Sequence, residues 1–309
     1  MLGMQTTICA CWMAMRTPNQ LSNFAERRSG SILRVLVILL ASMTTALGAY
    51  ASDRPRERVI EIVAQIQRAD YEGDRAALKR LHRELAPFAE NKDLAARVRY
   101  WRGFALWRRA INGFNDHIDP AELQLDLKLA LDEFDDAARR DPAFVDAKIG
   151  ALSCVGFLAY SVHQQDSGSA RIQELMAQTR QLWKDAQAAA PGNPRLLWVA
   201  GPMVWNIPPE RGGGQAKAMD GYEKGLQTIR NHKTNANDPL EPSWGEPELL
   251  MSLAWSNLNR TAPDPDAAER NARLALELVP YWHYVRDILM PQIREARKRQ
   301  NEMTGKEPD

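Results

Sequence analysis

Cysteine is close to absent: three in 309 residues, two of them at positions 9 and 11. A disulfide-stapled fold is therefore excluded, and Cys154, among Leu152, Val155 and Phe157, reads as a small buried hydrophobe. Neither sign of charge is in excess, with 40 Lys plus Arg against 39 Asp plus Glu. The basic surplus that a nucleic-acid binder uses to displace phosphate counterions is missing. Histidine is sparse too. His82, His117, His163, His232 and His283 have no second histidine within five residues, so no helix face carries the i, i+3 or i, i+4 pair of a metal site. Glycine and proline, 18 each, are too few for a low-complexity chain, and 45% hydrophobic residues suffice for a core.

One apolar run stands apart from the rest. Arg27, Arg28 and Arg34 precede an uncharged stretch from Val35 to Ser52, densest at Val35–Leu40 and closing in Ala49-Tyr50-Ala51. This basic, apolar, small-residue order predicts a cleaved secretory signal over 1–51, and an exported, periplasmic or secreted protein. Membrane contact is expected only if that segment stays uncleaved. Removing it leaves 36 basic and 38 acidic residues, and Cys154 alone, so residues 52–301 must cohere by packing.

From Arg56 onward apolar residues recur at helical spacing, as in Val59, Ile62, Val63 and Ile66, or Leu123, Leu127, Ala130, Leu131, Phe134 and Ala138. No stretch alternates in the manner of a strand. Breakers at Gly73-Asp74, Pro87, Pro120, Pro142, Pro191–Pro194, Pro208-Pro209, Pro263–Pro265 and Pro280 divide the chain into about eleven helices, so the fold class is all-α. Pro202 is expected to bend or stop the helix it falls in.

The helices repeat. Ala130, Phe134, Ala137 and Pro142 stand at offsets 0, +4, +7 and +12, as do Thr179, Trp183, Ala186 and Pro191, and Ala268, Ala272, Ala275 and Pro280. Ala218, Tyr222 and Gly225 form a fourth copy without the proline. Small residues at 0 and +7 allow a preceding helix to approach, the large residue at +4 fills the gap, and the proline is expected to open the next helix. These positions resemble the second-helix signature of the tetratricopeptide repeat family. The resemblance implies about five irregular helical hairpins with a C-terminal capping helix, followed by a disordered tail over 302–309. It also implies a binding role, with first helices lining a concave side, as in small exported bacterial proteins of this type.

No residue pattern carries catalysis. Gly-x-Ser-x-Gly is absent, and Arg211-Gly212-Gly213-Gly214-Gln215-Ala216-Lys217 lacks the Gly-Lys-Ser/Thr of a phosphate loop, so it reads as a connection within a repeat. Asp135 with Arg139 and Asp136 with Arg140 read as i, i+4 surface pairs. No cofactor or metal is expected. The aromatics carry more information: Trp198 and Trp205, seven apart, share one face of a short helix. Together with Trp255 they are the candidate groove residues, with Arg102, Arg195 and Asn206 as polar companions, because tryptophan and arginine dominate binding surfaces energetically. The expected function is a non-enzymatic envelope scaffold for a protein or peptide. The alternative is a small-ligand carrier, similar to the helical-repeat periplasmic component of some transporters.

Overall fold

The stretches that recur at helical spacing are helices in the computed structural model, which describes residues 54–116, 118–231 and 238–304. The leader expected over 1–51 lies outside these residues. Among the described residues there is no strand, and eleven α-helices follow one another. They are α1 (54–72), α2 (Arg75–Glu84), α3 (Ala95–Asn115), α4 (Pro120–Arg140), α5 (Val145–Gln165), α6 (Ala170–Ala189), α7 (Pro194–Asn206), α8 (Gln215–Asn231), α9 (Glu246–Asn259), α10 (Pro265–Leu278) and α11 (Met290–Thr304). A π-helical stretch, Tyr284–Leu289, leads into α11.

Starts and stops follow from local chemistry. Asp74, Asp119, Asn193 and Asp264 each cap a helix, their side-chain oxygens accepting backbone N–H groups of the first turn. Pro120, Pro194 and Pro265 open α4, α7 and α10, where a missing N–H costs nothing. The repeat prolines act differently from expectation. Pro142, Pro191 and Pro280 sit in the turns after α4, α6 and α10 rather than at the start of the next helix. Each forces its predecessor out of the α region, so Asp141, Ala190 and Val279 have ψ of 90°, 75° and 81° and the helix ends there. Pro202 does not stop its helix: α7 runs through it to Asn206, whose side-chain amide donates to the Pro202 carbonyl. Helix α11 likewise continues past Glu302 into the expected tail.

Helices α3 and α4, α5 and α6, α7 and α8, and α9 and α10 pack as consecutive hairpins; α4 also contacts α5, and α8 contacts α9. The +4 residue explains how closely they approach. Phe134 is fully buried, and a Cβ on Gly150 would stand 2.5 Å from its Cζ, one on Gly103 3.0 Å from its Cδ1. Tyr222 sits against Gly201 in the same way, with 2.0 Å from a Cβ there to the hydroxyl oxygen. Phe134 and Tyr222 thus each need a glycine on a neighbouring helix. Ala130, Ala137, Ala186, Ala218, Ala268, Ala272 and Ala275 are buried beside them, as are Thr179 and Gly225, and Trp183 is half-buried.

Helix α3 runs through the centre and is buried over most of its circumference, with Tyr100, Trp101, Phe104, Leu106 and Trp107 all buried, although it carries five arginines. Helix α5 is long and apolar enough to cross a membrane by composition, but most of its side chains are buried among its neighbours. Two contacts bring the ends of the array together. Residues 238–245, just before α9, lie back across α1 and α3: Arg56 pairs with Asp238 at 2.6 Å, Trp101 Nε1 donates to the Leu240 carbonyl, and Trp244 Nε1 donates to the Tyr100 hydroxyl. At the other end Tyr71 of α1 meets Trp282 edge-on at 5.0 Å, beside the π-helical stretch.

Candidate functional site

The first helices α3, α5, α7 and α9 converge on a cavity of about 360 Å³. Helical spacing decides which residues reach it. Ile111, Phe114 and Asn115 come from α3, Ser153 and Phe157 from α5, and Trp198, Val199, Pro202, Trp205 and Asn206 from α7. Met251, Ser252 and Trp255 of α9, with Tyr222, Trp282 and Tyr284, complete the wall. Trp205 and Trp255 pack edge-on at 5.2 Å, and Trp255 is 37% exposed, so this pair stands at the mouth. Deeper in, Trp198 contacts Trp107 and Trp244 at 6.0 and 5.5 Å, and its Nε1 donates to Ser252 Oγ at 2.9 Å.

Arg108 and Asn112 of α3 also line the cavity. The Arg108 side chain is 4% exposed, and its Nε donates to Asp70 Oδ2 at 2.7 Å while Nη2 lies 3.7 Å from Glu248 Oε1. Asn112 donates to the Asp70 carbonyl, Tyr71 to Glu248 Oε1, and Glu248 Oε2 accepts the Gly245 N–H that opens α9. The guanidinium lies 5.5–5.7 Å from the ring centres of Phe104, Trp107 and Trp198. Burial raises the pKa of Asp70 and of Glu248 even against the pull of Arg108. Burial opposes the charge on Arg108 itself, but the two carboxylates outweigh it and keep the guanidinium charged. One corner of the fork, Nη1, has no hydrogen-bond partner among the described residues.

Of the six candidate groove residues, Trp198, Trp205, Trp255 and Asn206 are brought together in this cavity, and Arg102 and Arg195 are not. Arg195 is held by Asp146, Nε to Oδ1 at 2.5 Å, with Nη1 donating to the Trp244 carbonyl. Arg102 turns to Glu133, 2.6 Å away, which also receives Arg99. Arg139 likewise pairs with Asp136 rather than Asp135. The Arg102 and Arg195 corrections have one cause: a partly buried arginine goes to a carboxylate of another helix, and that partner is 31 or 49 residues away in the chain. Arg108, Asn112 and Tyr222 were not foreseen as cavity residues. No local signal separates Arg108 from the other four arginines of α3, because its carboxylate partners lie on α1 and α9.

The Glu133 cluster has a pH consequence. Burial opposes ionisation of Glu133, but hydrogen bonds from Arg102 and Arg99, with His82 Nε2 3.5 Å away, outweigh it and hold the carboxyl at about 2. A carboxyl depressed on folding contributes stability that is complete above its unfolded value, near 4.5, and is lost as pH falls toward 2. Glu133→Gln is therefore expected to flatten the fall in urea midpoint between pH 5 and pH 2.5. An unchanged acid limb would count against this assignment.

Cys154 is buried, and burial pushes its thiol well above the usual range. Among the described residues no three His, Cys, Asp or Glu side chains come together to hold a metal ion. His117 and His232 lie outside the described residues. No protein-family model matches the chain, and no curated protein matches it.

Proposed function

We propose that this protein is an exported, non-enzymatic binding protein of tetratricopeptide-like build that takes a small, largely apolar molecule into its aromatic cavity. The observation that carries the reading is the convergence of Trp198, Trp205, Trp255 and Trp282 on one cavity of about 360 Å³, with few polar groups among its lining. Clefts of this size with apolar walls and a few convergent polar groups are the usual form of small-molecule sites. The tetratricopeptide-like part is supported by Ala130, Phe134, Ala137 and Pro142, by the same offsets at Thr179, Trp183, Ala186 and Pro191 and, with alanine in place of the large residue, at Ala268, Ala272, Ala275 and Pro280, and by consecutive hairpin pairing. Export is supported by the basic, apolar, small-residue order of residues 27–51.

Naphthalene is a direct probe. It is expected to raise the melting temperature by roughly 5–10 °C at a hundredfold excess over its Kd, since such an excess stabilises by about 2.7 kcal/mol. Trp205→Ala and Trp255→Ala are each expected to weaken binding at least tenfold, as aromatic anchors do. No thermal response, or variants that bind like the parent, would sink the proposal. A protein or peptide partner is the second reading, supported by the exposure of Trp255, Pro202 and Asn206 at the mouth, where a partner's apolar side chain has access. In that case naphthalene would compete with the partner.

A further inference from the structure

Given that the cavity binds a small molecule, we infer that its ligand is a cation that carries no N–H, a quaternary ammonium or an N-alkylated aromatic ring, seated at the mouth against Trp205 and Trp255. The two indoles are inclined at 64° with centres 5.2 Å apart, so they form adjoining walls of one corner. The face of an indole attracts a cation, and more strongly where water is excluded. Both side chains line the cavity, and Arg108 is the one charged residue among the described residues of that lining.

Arg108 does not make this corner positive. Asp70 and Glu248 lie 2.7 and 3.7 Å from the guanidinium, so from well beyond that separation the three charges sum to −1, or to zero with one carboxyl protonated. The guanidinium stands 5.6 Å from the ring centre of Trp198, and Trp205 is two helical turns, about 10 Å, further along α7. Helices α3 and α7 bring their last turns, Phe114-Asn115 and Trp205-Asn206, into the lining, and a helix C-terminus carries partial negative charge. The other polar groups are neutral. The hydroxyls of Ser153, Tyr222 and Tyr284 and the amide of Asn115 can turn an oxygen toward a cation. The Nδ2 groups of Asn112 and Asn206 donate to the backbone carbonyls of Asp70 and Pro202, so what each offers a ligand is its oxygen. A primary ammonium would lose its water with no carboxylate in the described lining to replace it, whereas a methylated cation sheds a weaker hydration shell against the rings.

The inference rests on the small-molecule reading, and the test separates the two. Four probes of similar size are titrated into the full chain by equilibrium dialysis at neutral pH: 1-methylquinolinium, its uncharged isostere 1-methylnaphthalene, 1-naphthylmethylammonium and 1-naphthoate. The quinolinium is expected to bind most tightly, about tenfold better than the isostere. That ratio is expected to persist in Trp255→Phe and to fall at least about threefold in Trp255→Leu, which keeps an apolar wall and removes the π face. A ratio of one or less in the parent, tighter binding of the primary ammonium or the naphthoate, or a ratio unchanged in Trp255→Leu overturns the inference while leaving the cavity a binding site. Failure of all four to bind overturns the small-molecule reading itself.

Discussion

Arg108→Met is expected to lower the unfolding free energy by about 3–5 kcal/mol, the cost of removing one partner from a buried ion cluster. Methionine fills most of the arginine's volume, so the loss is electrostatic rather than a cavity effect. Asp70 and Glu248, 2% and 0% exposed, would be left without their cation. A carboxyl whose pKa is raised on folding binds its proton more tightly in the native state. Its penalty is absent below the unfolded value near 4 and grows as pH rises through the folded value. Burial already places both groups on the raised side, and losing Arg108 moves them further. The deficit against the parent, read from urea unfolding, should therefore be larger at pH 8 than at pH 4.5. An equal deficit at both pH values would mean that the stranded carboxylates are not its source.

Phe134→Ala should cost a similar amount, about 3–5 kcal/mol, by a different route. The ring is clasped between α3 and α5 and contacts Tyr100 and Trp107 at 5.5 and 6.1 Å, so the surrounding helices cannot collapse into the space it leaves. Its dependence on glycine is testable from the other side. Gly150→Ala puts a methyl 2.5 Å from the ring and should cost about 1–3 kcal/mol by overpacking. In Phe134→Leu/Gly150→Ala the smaller side chain makes room for the methyl, and the double variant should lose less than the sum of its singles. Strict additivity would show that the two positions do not share one space.

The two sites differ in how far the sequence foretold them. Helical spacing and the Asp-Pro and Asn-Pro starts marked most helices, because caps and 3.6-residue periodicity are local properties. The cavity tryptophans on α7 were legible for the same reason: a seven-residue spacing puts Trp198 and Trp205 on one face whatever they pack against. Arginine side chains were not. Arg102, Arg108 and Arg195 are alike in sequence, and what separates them is a carboxylate partner on another helix. Tyr71 reaches Glu248 across 177 residues, a pairing no local pattern encodes. The turn prolines were half legible, since a proline's effect falls on the residue before it.

The strap formed by residues 238–245 also bears on how the chain folds. A hairpin array can assemble from either end, each unit adding to the last. Here the Trp101 side chain is satisfied only by a carbonyl 139 residues downstream, and Arg56 waits for an aspartate 182 residues away. Such contacts carry a large loop-closure entropy that must be met before any of their energy is gained. Early hairpins therefore remain provisional until the α8–α9 connection arrives, and a chain halted during synthesis after α8 would hold Trp101 and Tyr100 without the groups that complete them.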